Sequence, residues 1–571
     1  MRHMNTSIIL GLAAVTAVAL SSPAAAEEAG GPFENIKAAP VAVTWQYSTD
    51  GGKTFANAPQ PGPPAGPPAG IDPNQQARPV NSYVWKGTFD VADPTKIAGL
   101  WVRIAEEGPN PRASICTGDL IVACGGYWKD LGFCPTLLNA TITLNGKSVK
   151  LSNDGVLVFW APLEGPINKG ANTVEIRGSV YTYWGSKPAK GIDARLLAAE
   201  PQPAKIINGP ILGDFGDGYF TLCFRTQMPA EATVEATPDG GAAVTVSSVA
   251  KIWHRMRVEV PKGTKKATYT VMAKVGVHQT KSGPYTVEFP GSEYTFIAFG
   301  NVGGNIVGVT NWTANARRIL KARPAFIVNT GNLMEQGSWT FNWDELYITP
   351  AGELMANIPT LITPSGRDFV GMCRELYYTP APDGLGHNWS KAIGPVRFIG
   401  IDRMDEWQTG GGSALWLEKE LRSAKEKFVV VLCGIPGYAS GKNSRGMERV
   451  LKPTRDVILP LLGKYKATLM LASWDPDYER CEPTPDKGVT QICTGCIGKV
   501  YAFNFSRAQN SNPFGPKNKP NWVGFVAPHC CVFEVKGDTM EMRVLGLPGH
   551  QGSDDMKNFT VKDRKTFKAR N

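Results

Sequence analysis

The residues with chemistry to offer stand in the C-terminal half, each a step or two past a short apolar run. Asn301 follows FIAFG, Asn332 and Glu335 follow AFIVNTG, Arg367 and Asp368 follow TLITPSG, Tyr438 follows FVVVLCGIPG, and Trp474 and Asp475 follow TLMLAS. Carboxylates in such places can move protons or neutralise cations, an arginine offers its planar fork to an anion, and an indole offers a stacking face. Histidine, the usual base and metal ligand, is scarce: the chain has 6, and none falls in these stretches. No G-x-S-x-G elbow and no Gly-rich loop ending in Lys-Ser/Thr occurs, which excludes the serine-hydrolase and P-loop designs. A second chemical group is made of Cys481, Cys493, Cys496, Cys530 and Cys531 beside His529. Cys493-x-x-Cys496 has zinc-ligand spacing. In an oxidising compartment the same residues read as disulfides, as do Cys116, Cys124 and Cys134. Disulfides are the expectation and a zinc staple the alternative.

Elements that place residues at strand ends must alternate buried strands with helices. From Tyr294 onward the chain does this: FIAFG, AFIVNTG, TLIT, VRFIGID, FVVVLCG and TLMLAS are separated by stretches of helical pattern. Buried apolar strands with helices between them indicate an α/β layered domain, with its chemistry beyond the carboxyl ends of the strands. The N-terminal half is different. Its 62 Gly and 44 Pro per 571 residues for the whole chain already favour many turns. Residues 41–198 read as all-β, with ATITLNGKSVKL alternating around Asn145-Gly146, a strong hairpin signal. Residues 204–291 read as a second, smaller β-sandwich of fibronectin type III-like form. The expected architecture is therefore multidomain: two all-β sandwiches, then the α/β domain over 294–545, then a tail over 546–571.

The first 26 residues carry Arg2, the apolar run Ile8–Leu20 and Ala24-Ala25-Ala26, the pattern of a secretory signal peptide cleaved before Glu27. The apolar run is too short for a spanning helix of about 20 residues, and no later stretch has that length. An exported chain is expected, periplasmic, cell-surface or extracellular, with no transmembrane segment. The net charge of +10 is scattered rather than gathered into a nucleic-acid-binding run. It suits an anionic glycan or an envelope component as partner, and nucleic acid is not expected. Trp101, Trp128, Trp160 and Trp184 are either sugar-facing or core. Oligomeric state is not legible.

The five C-terminal blocks resemble those of calcineurin-like metallophosphoesterases, and the preceding sandwich makes the purple acid phosphatase branch the nearest likeness. The N-terminal pattern of Asn-Gly hairpin, apolar strand and KGANTVEI strand resembles galactose-binding-like jelly rolls. The resemblance implies an αββα layered domain in which strand-end ligands hold two metal ions that activate water and polarise a phosphoryl oxygen. It also implies which positions carry those ligands, and here they are altered. Asn301 stands for an Asp, Asn332 for the bridging Asp, Glu335 for the tyrosine, Gly366 for an Asn, Gly434 for a His, and Trp474 and Pro476 for two His. Arg367 stands for the catalytic His. The framework residues Gly300, Gly331, Asp368, Pro436, Tyr438 and Tyr478-Glu479-Arg480 remain. The expectation is a non-catalytic, pseudophosphatase-like module with no catalytic residues, no metal and no cofactor. A vestigial cleft of Asn301, Asn332, Glu335, Arg367, Asp368, Tyr438, Trp474 and Asp475 would be left for binding. Arg367 either makes an anion site or pairs with Asp368; Trp474 either stacks on a sugar or fills the vacated volume. The alternative is an active metal-dependent phosphoesterase or another hydrolase with a rearranged site, using Asp368, Asp402, Glu335 and Asp475.

Overall fold

The computed structural model describes residues 38–48, 50–56, 79–106, 136–149, 161–163, 167–181, 189–198, 205–275, 278–302, 306–333, 343–365, 368, 376–381, 388–402, 407–441, 444, 448–482, 488–498 and 522–570. The signal-peptide stretch, Cys116, Cys124, Cys134, Trp128, Trp160, Trp184, Glu335, Gly366 and Arg367 lie outside them, as does the side chain of Trp101.

Two antiparallel sheets open the chain. One has four strands, in the order Ala38–Pro40, Ala189–Ala198, Ile97–Glu106, Ala161–Leu163; the other has five, Thr44–Ser48, Pro79–Val91, Gly170–Tyr181, Thr136–Leu144, Lys147–Val149. Leu100 of the first sheet shares a core with Trp85, Phe89, Leu144, Val174 and Ile176 of the second, so the sheets pack face to face. Asn145-Gly146 forms the expected hairpin turn, with both residues left-handed (φ 50° and 76°). Both ends of the Asn145 amide are used: it donates to Asn172 at 2.8 Å and accepts from the Thr173 N–H at 2.8 Å.

A five-stranded sheet follows, built on the long hairpin Tyr219–Pro238 and Val244–Glu259. The register shifts between Arg225 and Ala230, and residues from both sides of that bulge (Leu222, Phe224, Val234, Ala236) enter one core. That core is continuous with the next region. The Tyr269 hydroxyl donates to Ala356 O at 2.6 Å, the Asp214 N–H donates to Tyr378 O at 2.7 Å, and Lys391 forms a 2.8 Å ion pair with Asp214.

The remainder is two mixed sheets laid against each other. The six-stranded sheet runs Thr360–Ile362, Phe326–Asn329, Tyr294–Phe299, His529–Lys536, Thr539–Gly546, Val561–Lys568, its first three strands parallel. The seven-stranded sheet runs Trp389–Ile393, Val396–Ile401, Phe428–Cys433, Leu469–Ala472, Thr490–Thr494, Tyr478–Cys481, Val523–Phe525. Its four strands from Val396–Ile401 to Thr490–Thr494 are parallel. Phe296 of one sheet meets Phe398 of the other edge to face, with ring centres 5.3 Å apart. Trp312, Leu354 and Met355 of the helices Ile306–Ala322 and Thr349–Asn357 cover the outer face of the first sheet. Leu417, Leu421 and Leu459 of Gly412–Ser423 and Leu459–Lys464 cover the outer face of the second. Helix, sheet, sheet, helix is thus the layer order, as wholly apolar strands require.

Contrary to the expectation of a tail from residue 546 onward, Val561–Lys568 belongs to the fold: it pairs antiparallel with Thr539–Gly546 and ends the six-stranded sheet. Its charged, alternating sequence is that of an edge strand. Among the described residues no helix is long and apolar enough to cross a membrane.

Candidate functional site

The carboxyl ends of the parallel strands meet at one end of the two sheets, and three of them leave in the left-handed backbone region: Asn301 (φ 47°), Asn332 (φ 56°) and Trp474 (φ 78°). Asparagine tolerates this region because its short amide finds local partners; a tryptophan there costs about 1–2 kcal/mol. The turns are held by buried side chains. Ser473 Oγ donates to Thr330 O at 2.7 Å, and Ser365 Oγ donates to Gly434 O at 2.9 Å. Ser473 Oγ also lies 3.2 Å from Gly434 O, so the strand ends at Thr330, Gly434 and Ser473 are tied together.

The two asparagines form the centre. Asn332 Nδ2 donates to Asn301 Oδ1, and Asn301 Nδ2 donates to Asp475 O at 2.7 Å. Asn301 has committed both ends of its amide, and the link contains no charge. Asp368 lies next to it, its carboxylate accepting from the Leu333 N–H at 2.7 Å and the Ser365 N–H at 3.2 Å. Asp368 therefore acts as a brace for two strand-end turns. At Gly434 no side chain fits, because a Cβ would lie 2.2 Å from Ser365 Cβ. At Gly495 a Cβ would lie 1.8 Å from Asp475 O and 2.5 Å from Asn301 Nδ2. The backbone has closed over this space.

A second cluster was only half legible in the sequence. Asp475, Asp477 and Glu479 stand at alternate positions leading into the strand Tyr478–Cys481, and all are buried at 0%, 0% and 1% exposure. Asp475 is held by Ser444, whose N–H donates at 3.2 Å and whose hydroxyl donates to the other carboxylate oxygen. Glu479 accepts from the Ser440 N–H at 2.7 Å and from Trp522 Nε1 at 3.0 Å. Neither oxygen of Asp477 has a hydrogen-bond partner among the described residues. Burial, then the charges of Glu479 and Asp475, push Asp477 well above the carboxylate range; burial and Asp475 push Glu479 up to about 7. The D-x-D-x-E spacing marks the three acids in the sequence, but nothing in it indicates their burial.

Tyr438 is not part of either group: it is buried in the core beneath the seven-stranded sheet with Ile458 and Leu459. Trp474 is half-buried between the two groups along the chain. The seven described cysteines, Cys223, Cys433, Cys481, Cys493, Cys496, Cys530 and Cys531, are buried thiols, with no disulfide among them. Burial pushes Cys496 and Cys531 up to about 12, so they are protonated and unreactive. His529 is also buried and lowered to about 4, with Nδ1 2.8 Å from Ala527 O. Among the described residues no three His, Cys, Asp or Glu form a group able to hold a metal ion.

No family model matches this chain, and no curated protein matches it. Its structure is similar to that of a purple acid phosphatase from yellow lupin (Lupinus luteus) seeds, at 14% identity and TM-score 0.52, over 85% of this chain and 92% of that one. PhoD follows at 11% identity and TM-score 0.48, over 63% and 90% of the two chains. GAP50, the anchor in the inner membrane complex of Plasmodium, gives 16% identity and TM-score 0.36 over 49% and 90%. At this identity the lupin enzyme speaks for the fold, a metallophosphoesterase fold preceded by β-sheet domains.

Proposed function

We propose that the chain is a pseudophosphatase, a metallophosphoesterase-like body used as a non-catalytic binding or scaffold module. The observation that carries this reading is the Asn332–Asn301–Asp475 link. Two cations held between strand ends need anionic donors facing them, and two amides bonded to each other supply neither charge nor a free oxygen at Asn301. Gly434, beneath Ser365, has no room for a histidine ring. A dinuclear metal centre of the kind the fold implies does not fit these residues.

The binding role is directed at an anionic glycan or an envelope component after export. The chain's net charge of +10 and its scattered basic residues support that partner class.

The test is metal content by elemental mass spectrometry after incubation with iron, manganese and zinc and removal of the excess, paired with hydrolysis of a phosphate monoester. The expected result is less than one metal per chain and no metal-dependent hydrolysis. Two metals per chain with hydrolysis would overturn the reading. A panel of acidic and neutral polysaccharides tests the partner separately: a flat response removes the glycan and leaves the loss of catalysis standing.

A further inference from the structure

The outer face of the six-stranded sheet is only partly covered. The helix layer reaches as far as Val532 and Leu545, which are buried with Trp312 and Leu354. Beyond them the last three strands present a bare face of charged and hydroxyl side chains. The register fixes its rows. Arg543 stands directly opposite Arg564. The next row is Glu534, Glu541 and Thr566, and the one after it is Lys536, Thr539 and Lys568. All are exposed except Arg543, which is half-buried. The residues between them, such as Phe533, Met542 and Phe567, point the other way into the core between the sheets.

The two faces of the edge strand Val561–Lys568 treat charge differently. On the inner side Asp563 pairs with Arg480 at 2.8 Å, and Lys565 pairs with Glu482. On the outer side Lys536, Arg543, Arg564 and Lys568 make no ion pair among the described residues. Side chains directly opposite on a sheet start about 5 Å apart at Cβ, and like charges there repel. One carboxylate or sulfate between the two guanidinium forks satisfies both, since each fork matches such a group through paired hydrogen bonds. The adjacent row does something else. Glu534 and Glu541 accept hydrogen bonds from hydroxyl groups and repel a ligand that is anionic throughout. Rows on one face are about 7 Å apart, two strand residues. Anion-holding and hydroxyl-accepting side chains at that spacing suit a polymer whose acidic groups are set among many hydroxyls.

We infer that the outer face of His529–Lys536, Thr539–Gly546 and Val561–Lys568 binds an acidic polysaccharide. Arg543 and Arg564 together hold a sugar carboxylate, Glu541 accepts from sugar hydroxyls, and Lys536 and Lys568 add attraction at the far row. The inference rests on the proposed anionic-glycan partner and adds the surface and the groups that bind it.

The experiment titrates the full mature chain with polygalacturonate by calorimetry at about 50 mM salt, with neutral dextran and anionic lipid vesicles as comparators. The double variant Arg543→Gln/Arg564→Gln should bind at least about tenfold more weakly, with its denaturation midpoint unchanged or raised. Lys265→Gln/Lys266→Gln removes the same charge from exposed positions on the five-stranded sheet and should bind as the native chain does. Equal losses in the two double variants would overturn the surface, because net charge alone would then govern binding. Glu541→Ala separates a sugar site from diffuse attraction: weaker binding supports the inference, and unchanged or tighter binding overturns it. If the arginine double variant does not fold, Arg564→Gln at the exposed edge replaces it, with the same direction expected. Native binding that neither arginine variant alters would overturn this surface and leave the glycan partner standing. No native binding to polygalacturonate, or binding to the vesicles alone, would remove both.

Discussion

Two neighbouring corners of the same strand-end surface are built in opposite ways. At Asn301 and Asn332 the link is uncharged, and Asn301 uses both ends of its amide. At Asp475, Asp477 and Glu479, one bond away through Asp475 O, three acids remain buried and one of them has no partner among the described residues. The first corner is a closed joint whose strength is independent of pH. The second stores an electrostatic cost that a proton relieves. An amide pair gives a joint without charge; buried acids give sensitivity to charge.

The sharpest way to break the first corner is to put a side chain back under it. Gly434→Ala forces Ser365 aside and disrupts its bond to Gly434 O, with an expected loss of about 3 kcal/mol in chemical denaturation. A neutral result would mean that the space is open and that a ligand side chain could be accommodated there. Restoring charge is the next test. In Asn332→Asp the donor to Asn301 Oδ1 becomes an acceptor, so two oxygens face each other, at an expected cost of about 2 kcal/mol. Metal content should not rise in this variant; a gain of bound metal would show that the centre is one residue from function.

The second corner should respond the other way. Glu479→Gln removes one charge from the acidic cluster and keeps an acceptor for Ser440 or Trp522, but not both. At about pH 8 we expect a net gain of about 1 kcal/mol, vanishing near pH 5. A variant less stable than the native chain at both values would mean that the Ser440 and Trp522 bonds outweigh the repulsion.

The contrast also explains what could be read without coordinates. Apolar runs such as FVVVLC can only be buried strands, and Asn145-Gly146 specifies its turn through its own backbone preferences, so both were legible. Val561–Lys568 was not, because an edge strand exposed on one side carries few apolar residues. The strand-end positions were located by motif, and the structure brings Asn301, Asn332, Asp368 and Asp475 together. Tyr438 faces the core instead, since side-chain direction after a strand depends on the turn rather than on the residue type. The burial of Asp477 and Glu479 had no local signal: an acid beside Pro476 ordinarily caps a turn, and only the closing of three segments around it makes it interior.

Trp474 lies where the two corners meet in sequence and gives the smallest effect. Its left-handed backbone is imposed by neighbours on both sides, Ser473 bonded to Thr330 O and Asp475 to Ser444. Trp474→Gly relieves about 1–2 kcal/mol of backbone strain and loses a comparable amount of indole burial, so the expected net change is within about 1 kcal/mol. Trp474→Ala keeps the strain and loses the burial, and should be the less stable of the two. The order of the pair isolates the strain from the packing. If both variants are equally destabilised, the left-handed turn is not a strained feature, and the indole acts only through its burial. If Trp474→Gly is the more stable by the expected margin, the chain carries a real conformational cost at that point, and the neutral corner is held shut by its flanking hydrogen bonds rather than by the tryptophan.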